Sequence, residues 1–332
     1  VFNYPEKQEF KNSVEVLENS IYTLHYFPMA KSQPTTSNEP VFIIPPHAGR
    51  HPSIAQNMID KCVSEGRHTY AFELKPATAR TANTGIGHLI IALCMCSEKI
   101  TDRHDGHKIG YIGLCQGAWL SAIYLSMFVH NANASFYCNF AGPINTKTGQ
   151  ENIIEKYCRN VDIDIHRTVV NLNGGLQLGI YQWLSFAMVD PRYVFVDRWT
   201  DLYSFTMQAL FSFNGISKLK KWFKNNSWYD TSQDIAGTWF LDCLENHFIE
   251  NKLYNGTWNV GYATPNLKDI KCPVYLYAGD EDEITHFQQV FDMEKVVGST
   301  EVQKTLFAGA GHTKVFVGKD ELEYFAKEVL RK

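Results

Sequence analysis

The chain has 332 residues, 45% of them apolar and 20% charged, with a formal net charge of −4. That is enough to bury a sizeable core, either as one large α/β domain carrying an insertion or as two domains. The slightly acidic balance gives no basic footprint for nucleic acid or an anionic membrane surface, so neither is expected as a partner.

In chain order, YTLHYF (22–27) alternates like an edge strand, and PVFIIPP (40–46) reads as a buried strand ended by two prolines. HTYAFEL (68–74), KIGYIGL (108–114), SFYCNFAGP (135–143), CPVYLYAG (272–279) and VQKTLFAGAG (302–311) continue the series. Helical patterns lie between them at about 53–65, 85–100, 116–130, 286–297 and 319–331. Strands alternating with helices predict an α/β fold built on a doubly wound, mostly parallel sheet. The rhythm breaks between Ile144 and about Pro265, a stretch rich in aromatics that holds Trp183, Trp199, Trp222, Trp228, Trp239 and Trp258. It is expected to be a mainly helical cap over the carboxyl edge of the sheet, where ligands bind in open α/β folds. The expected organisation is a core over 1–143, the cap over 144–265 and the rest of the core over 266–332.

Eight cysteines are scattered without CxxC pairs or Cys/His ligand spacing, which predicts reduced thiols, no metal site and a cytoplasmic setting. The three Asn-x-Ser/Thr sequons at Asn133, Asn225 and Asn255 carry little weight without a secretory signal, and no signal-peptide pattern precedes the first strand. HLIIALCMC (88–96), the longest apolar run, is too short to cross a bilayer.

The motif that carries chemistry is Gly113-Leu114-Cys115-Gln116-Gly117. A strand runs straight into Cys115 and a helix starts straight after it, with glycines two residues to either side. A nucleophile elbow requires this pattern, because side chains at those two positions would collide with neighbouring backbone. The turn would lift the sulfur above the sheet and aim the Gln116 N–H at a reacting carbonyl, while the helix N-terminus favours thiolate. The elbow predicts partners in the order nucleophile, acid, histidine. DEDEITH (280–286) places carboxylates after one strand, and GAGHTKVFVG (309–318) places His312 after the last. Cys115 would attack, His312 would shuttle the proton, and one of the carboxylates would orient the imidazole. A second oxyanion donor is expected from His47, Ala48 or Gly49, with the Ala48 N–H preferred. His47 and Trp119 are candidates for substrate contact.

The blocks IGLCQGAW, AGPINTK, GTWFLDCLENHFIENKLYNGTWNV, LKDIKCPVYLYAGDEDEIT and GHTKVFVG, in order from about Val41 to Gly318, resemble the polyhydroxyalkanoate synthases and intracellular poly(3-hydroxybutyrate) depolymerases. These are relatives within the α/β-hydrolase superfamily with a cysteine nucleophile. The resemblance implies an α/β-hydrolase fold, polyester, oligoester or acyl-thioester substrates, no cofactor, and Asp282 as the triad acid with Asp280 beside it. It allows a homodimer. Synthases usually carry a second glycine where this chain has Ala118, and an Asn-Lys-Tyr-Tyr block where it reads PPHAGRHPSI. Depolymerases tend to have proline at Gly117. AGPINTK and the FLDCLENHF segment tilt the expectation toward a cysteine esterase that hydrolyses poly(3-hydroxyalkanoate), with acyl transfer from 3-hydroxyacyl-CoA as the alternative. Dienelactone hydrolases share the cysteine elbow but not so large an insertion. A catalytically silent ligand receptor on the same fold is the reading from a different class.

Overall fold

The structure is a computed structural model that describes residues 9–29, 37–47, 52–128, 133–181, 198–211, 216, 232–261 and 263–331. Its centre is an eight-stranded sheet of β1 (Val14–Glu18), β2 (Tyr22–Phe27), β3 (Ser37–Ile44), β4 (Arg67–Leu74), β5 (Ile109–Leu114), β6 (Ala134–Phe140), β7 (Val274–Gly279) and β8 (Val302–Phe307). The spatial order is β1-β2-β4-β3-β5-β6-β7-β8. Only β2 with β1 and with β4 pair antiparallel; every other neighbouring pair is parallel. The α/β reading of the sequence holds.

Parallel strands need crossovers, and helices on both faces supply them. Helices α1 (Gln56–Ser64), α2 (Ile86–Arg103) and α3 (Gln116–Met127) follow β3, β4 and β5. One apolar core joins a face of the sheet to α2 and α3, and takes in Trp239 and Trp258 from the long segment between β6 and β7. The other joins the opposite face to α1 and the last helices, through Met58, Val315 and Phe325. Successive residues of β3 divide between the two cores, Val41 and Ile43 facing one and Phe42 and Ile44 the other. A strand buried on both faces reads as a continuous apolar run, which is why PVFII lacks alternation.

YTLHYF is not the edge strand. Val14–Glu18, which the sequence reading missed, lies outside it, and all but Tyr26 of β2 is buried. The alternation that mimics a solvated edge comes from buried polar residues. His25 Nε2 lies 2.6 Å from Glu73 Oε2, its Nδ1 lies 3.2 Å from Ser13 Oγ, and Phe10 packs edge-on against its ring.

Between β6 and β7 the described chain forms helices at Ile153–Asn160, Ile163–Leu172 and Arg198–Phe211, and a two-residue ribbon pairing Leu176–Gln177 with Ile235–Ala236. A short helix, Gly237–Asp242, then widens into a π-helical stretch, Cys243–Ile249. This stretch is bolted to the core by side-chain amides. Asn145 donates to Asp292 at 2.7 Å, Asn251 donates to Asn145 at 2.8 Å and accepts from the Thr146 N–H at 2.9 Å, and Asn152 donates to Gln289 at 2.9 Å. Trp183, Trp222 and Trp228 lie outside the described residues, as does the side chain of Trp199. No described helix is long and apolar enough to cross a membrane.

Candidate active site

Every loop that carries a candidate residue leaves the same, carboxyl edge of the sheet. The paired strand ends run Ile44 beside Gly113, Leu114 beside Phe140, Phe140 beside Tyr277, and Gly279 beside Phe307. Residues distant in sequence, Pro45–His47, Cys115, Asp280–Thr285 and Gly309–His312, therefore converge there.

Cys115 sits between β5 and α3 with φ 52° and ψ −114°. A residue with a Cβ held at positive φ costs on the order of 1–3 kcal/mol, so the surroundings must enforce it. They do so through backbone: the Cys115 N–H donates to the Phe140 carbonyl at 2.8 Å, and the Ala118 N–H donates to the Cys115 carbonyl at 3.0 Å. The flanking glycines have the close approach the motif predicts. A Cβ on Gly113 would lie 2.3 Å from Ala118 Cα, and one on Gly117 would lie 1.8 Å from the Ile44 carbonyl oxygen. The first turn of α3 is thus pressed against the end of β3, with the Gln116 N–H at the start of the helix, among the donors that have no intrahelical acceptor. Helix α3 is apolar nearly all round because the sheet lies on one side and the β6–β7 segment on the other.

The Gln116 side chain has a role that the motif does not reveal: its Oε1 accepts the His47 N–H at 2.9 Å, tying the loop after β3 to the elbow. Ala48 and Gly49, the other candidates for the second oxyanion donor, lie outside the described residues. His47 is buried, with its ring edge-on to the Trp239 indole at 5.4 Å between centroids. Trp119, one turn along α3 from Cys115, is fully buried under His247 and Trp258.

Asp282 and His312 meet as the order of motifs predicts. His312 Nδ1 lies 2.8 Å from Asp282 Oδ2, with side chains 10% and 0% exposed. The other carboxylate oxygen accepts the N–H groups of Ile284 and Thr285 at 2.9 and 2.8 Å, which fixes the plane of Asp282. Asp280 does not touch the imidazole; its carboxylate accepts the Gly309 N–H at 2.7 Å and braces the loop that carries His312. Gly279 is a contributor missed in the sequence: a Cβ there would lie 1.9 Å from the Ala310 carbonyl oxygen, so this glycine lets the two loops close on each other. With Nδ1 committed to Asp282, Nε2 is the ring nitrogen left to serve the Cys115 side chain. Burial pulls the His312 pKa down, but the negative charge that Cys115 and Asp282 can place beside the ring, with their hydrogen bonds, outweighs it and holds the imidazole well above its ordinary value. A thiol, a base at its side and a carboxylate behind the base can generate a nucleophile and protonate a leaving group. Among the described residues no three His, Cys, Asp or Glu side chains are grouped to hold a metal ion.

Solved structures with this architecture include a soluble variant of monoglyceride lipase from Saccharomyces cerevisiae, at 13% identity and a TM-score of 0.61 over 99% of this chain and 97% of that one. MenH from S. aureus aligns at 17% identity and 0.56, over 94% and 98%. The fold is that of the α/β-hydrolases. In sequence, the chain is 23% identical over 229 residues to the poly(3-hydroxyalkanoate) polymerase subunit PhaC of Allochromatium vinosum, covering 69% of this chain and 60% of that protein. It is 26% identical over 187 residues to the subunit of the same name from Thiocystis violacea, covering 55% and 48%. The match thus spans about half the length of these relatives. No protein-family model matches the chain. The resemblance to the polyhydroxyalkanoate group stands, and the relatives found carry the polymerase name.

Proposed function

We propose that the protein is a cysteine acyltransferase acting on hydroxyalkanoate thioesters, with Cys115 as nucleophile, His312 as acid and base, and Asp282 as the group that orients it. The observation that carries this is the His312–Asp282 contact at 2.8 Å beside a cysteine held at φ 52° on a strand-to-helix turn. The Cys115 proton passes to His312 as the sulfur attacks the thioester carbonyl. The oxyanion that forms takes the Gln116 N–H and, in this reading, the Ala48 N–H. The carbon–sulfur bond to the leaving thiol breaks as His312 returns the proton to it, leaving an acyl-thioester on Cys115. A chain-end hydroxyl then gives its proton to His312 and attacks that thioester, which extends the chain by one unit and restores the thiol.

Water would complete the same cycle as hydrolysis, the outcome toward which the sequence tilts. Two observations favour the alcohol. The relatives are polymerase subunits, and the elbow leaves no room for the proline that depolymerases tend to have, because the space beside Gly117 is filled by Ile44 backbone. The AGPINTK block, which favoured hydrolysis, is used through Asn145 and Thr146 to bolt the long segment to the core, so it does not bear on the choice of acceptor. The segment from 144 to about 265 acts in this reading as a cap. Trp239 packs it against His47 in the loop after β3, and His247 and Trp258 pack it against Trp119 of α3.

The test is to incubate the protein with 3-hydroxybutyryl-CoA and separately with amorphous poly(3-hydroxybutyrate), following free CoA, soluble acid, polymer and the intact mass of the chain. Acyl transfer predicts CoA release, an acyl adduct that is absent in Cys115→Ala, and oligomer or polymer. Soluble acid from the polyester without chain growth would make the protein a hydrolase. No adduct from either source would remove the cysteine mechanism.

A further inference from the structure

Asp282 is aligned by its own loop, because its Oδ1 accepts the Ile284 and Thr285 N–H groups. Where that loop sits therefore decides where the acid sits. The loop leaves β7 at Gly279 and runs into a short helix, Phe287–Phe291. Beyond Asp282 it is gripped by the start of the long segment between β6 and β7. The Ile153 N–H donates to the Glu283 carbonyl at 3.3 Å. Gly149 lies so close to the His286 ring that a Cβ there would be 2.3 Å from Nδ1. The third grip is Gln289, which is 2% exposed and has every polar atom engaged. Its N–H donates to the His286 carbonyl at 2.8 Å, and its carbonyl accepts the Ile144 and Asn145 N–H groups at 2.8 and 3.1 Å. Its Oε1 accepts from Asn152 Nδ2 at 2.9 Å, and its Nε2 donates to the Thr146 carbonyl and to Glu155 Oε1, both at 3.4 Å.

Asn152 and Glu155 form the capping box of the helix Ile153–Asn160: Asn152 Oδ1 accepts the Glu155 N–H at 2.9 Å, and Glu155 Oε2 accepts the Asn152 N–H at 3.3 Å. The atoms left over by the box, Asn152 Nδ2 and Glu155 Oε1, take the two ends of the Gln289 amide. Separating the helix from the loop would leave that buried amide short of partners, so the two are held as one unit. On the acyl-thioester reading above, we propose that Gln289 is a positioning residue for the triad: by locking the Asp282 loop to this capping box, it sets how the carboxylate meets His312. Its hydrogen bonds run to the loop and to the segment, so it acts through Asp282.

The experiment compares the wild-type chain with Gln289→Leu and Asn152→Asp. It measures the melting temperature, the NMR signal of the His312 Nδ1 proton in its bond to Asp282, and CoA release from 3-hydroxybutyryl-CoA. Asn152→Asp keeps the helix cap, since aspartate caps as well as asparagine, and removes only the N–H aimed at Gln289. It carries the test if Gln289→Leu does not fold. Below the melt, each variant should shift or broaden the His312 signal and lower kcat by roughly ten- to a hundredfold with KM within about twofold, the size expected for a misplaced group. In an Asp282→Asn background the same substitutions should cost less than about twofold more, because they act through the carboxylate. A folded variant with the wild-type signal and the wild-type kcat overturns the proposal. A loss of the same size with and without the Asp282 carboxylate would assign Gln289 to packing and overturn it as well. Absence of CoA release in the wild type would instead remove the acyl-thioester reading, and the NMR signal would then decide alone: if it is unchanged in a folded variant, the positioning role falls too.

Discussion

Replacing Gly117 by alanine tests whether the elbow and the end of β3 form one rigid unit. The added Cβ would lie 1.8 Å from the Ile44 carbonyl oxygen and 2.6 Å from its carbon, against an ordinary contact of 3.4 Å or more. Both obstacles are backbone in the middle of the sheet, so no side chain can swing aside. Relief requires α3 and β3 to separate by roughly 1.6 Å, the shortfall in the closer contact. Overpacking of this kind costs on the order of 1–3 kcal/mol, which lowers Tm by roughly 1–4 °C for a chain of this size. The separation also moves the Gln116 N–H away from the reacting carbonyl, and a misplacement of about 1 Å costs on the order of 10²-fold in rate. The assay pairs a thermal melt with the rate of CoA release from 3-hydroxybutyryl-CoA. Gly87→Ala is the control, because its Cβ would meet nothing closer than 3.9 Å inside α2, and it should be neutral or slightly stabilising. A Gly117→Ala protein with the wild-type melt and the wild-type rate would refute the argument that this glycine fixes the site.

Removing the sulfur should be visible at the histidine: Cys115→Ala takes away a charge that holds the His312 pKa up, so the imidazole should titrate at lower pH, as followed by NMR of its ring protons. Asp282→Asn should reduce turnover by about 10³–10⁴-fold by letting the imidazole turn or adopt the wrong tautomer, and combining it with His312→Ala should add little beyond the worse single loss. His247 is fully buried, and burial lowers its pKa to about 3, with the Pro143 carbonyl opposing only partly. The unfolded chain therefore takes up this proton more readily than the folded one, so stability falls as pH drops from about 6.5 toward 3, by up to about 1.4 kcal/mol per pH unit. Denaturant melts of His247→Phe should show a shallower loss over that window, and an unchanged slope would mean that other groups dominate acid unfolding.

The parts of the site legible in the sequence are those fixed by local sterics. Gly113 and Gly117 announce the elbow because a Cβ at either would collide with backbone in this chain, and the carboxylate and histidine declare themselves by following strands in order. What escaped depends on neighbours that are remote in the chain. Gly279 looks like an ordinary strand end until Ala310 is placed against it. His25 mimics an edge position because Glu73, which hydrogen-bonds its ring, belongs to another strand. Val14–Glu18 has little apolar signal, since its side chains remain at least partly exposed. Trp239 is one tryptophan among six in an aromatic-rich stretch, and its packing against His47 depends on a loop far away in the chain.

The pairing of β6 with β7 has a consequence for biosynthesis. Those strands are hydrogen-bonded neighbours, yet the chain makes the whole intervening segment before β7 exists. At about 5–20 residues per second, the interval between translation of Cys115 and of His312 is roughly 10–40 s. During that time Cys115 is without His312 and Asp282, so on the proposed mechanism a nascent chain cannot begin acylation on the ribosome. The same interval leaves β6, with the aromatic-rich stretch Phe136–Phe140, as an open sheet edge able to pair with another chain. Yield in a heterologous host should therefore depend on how fast β7 and β8 follow, and synonymous codons that slow translation between β6 and β7 should increase the aggregated fraction without altering the protein that does fold.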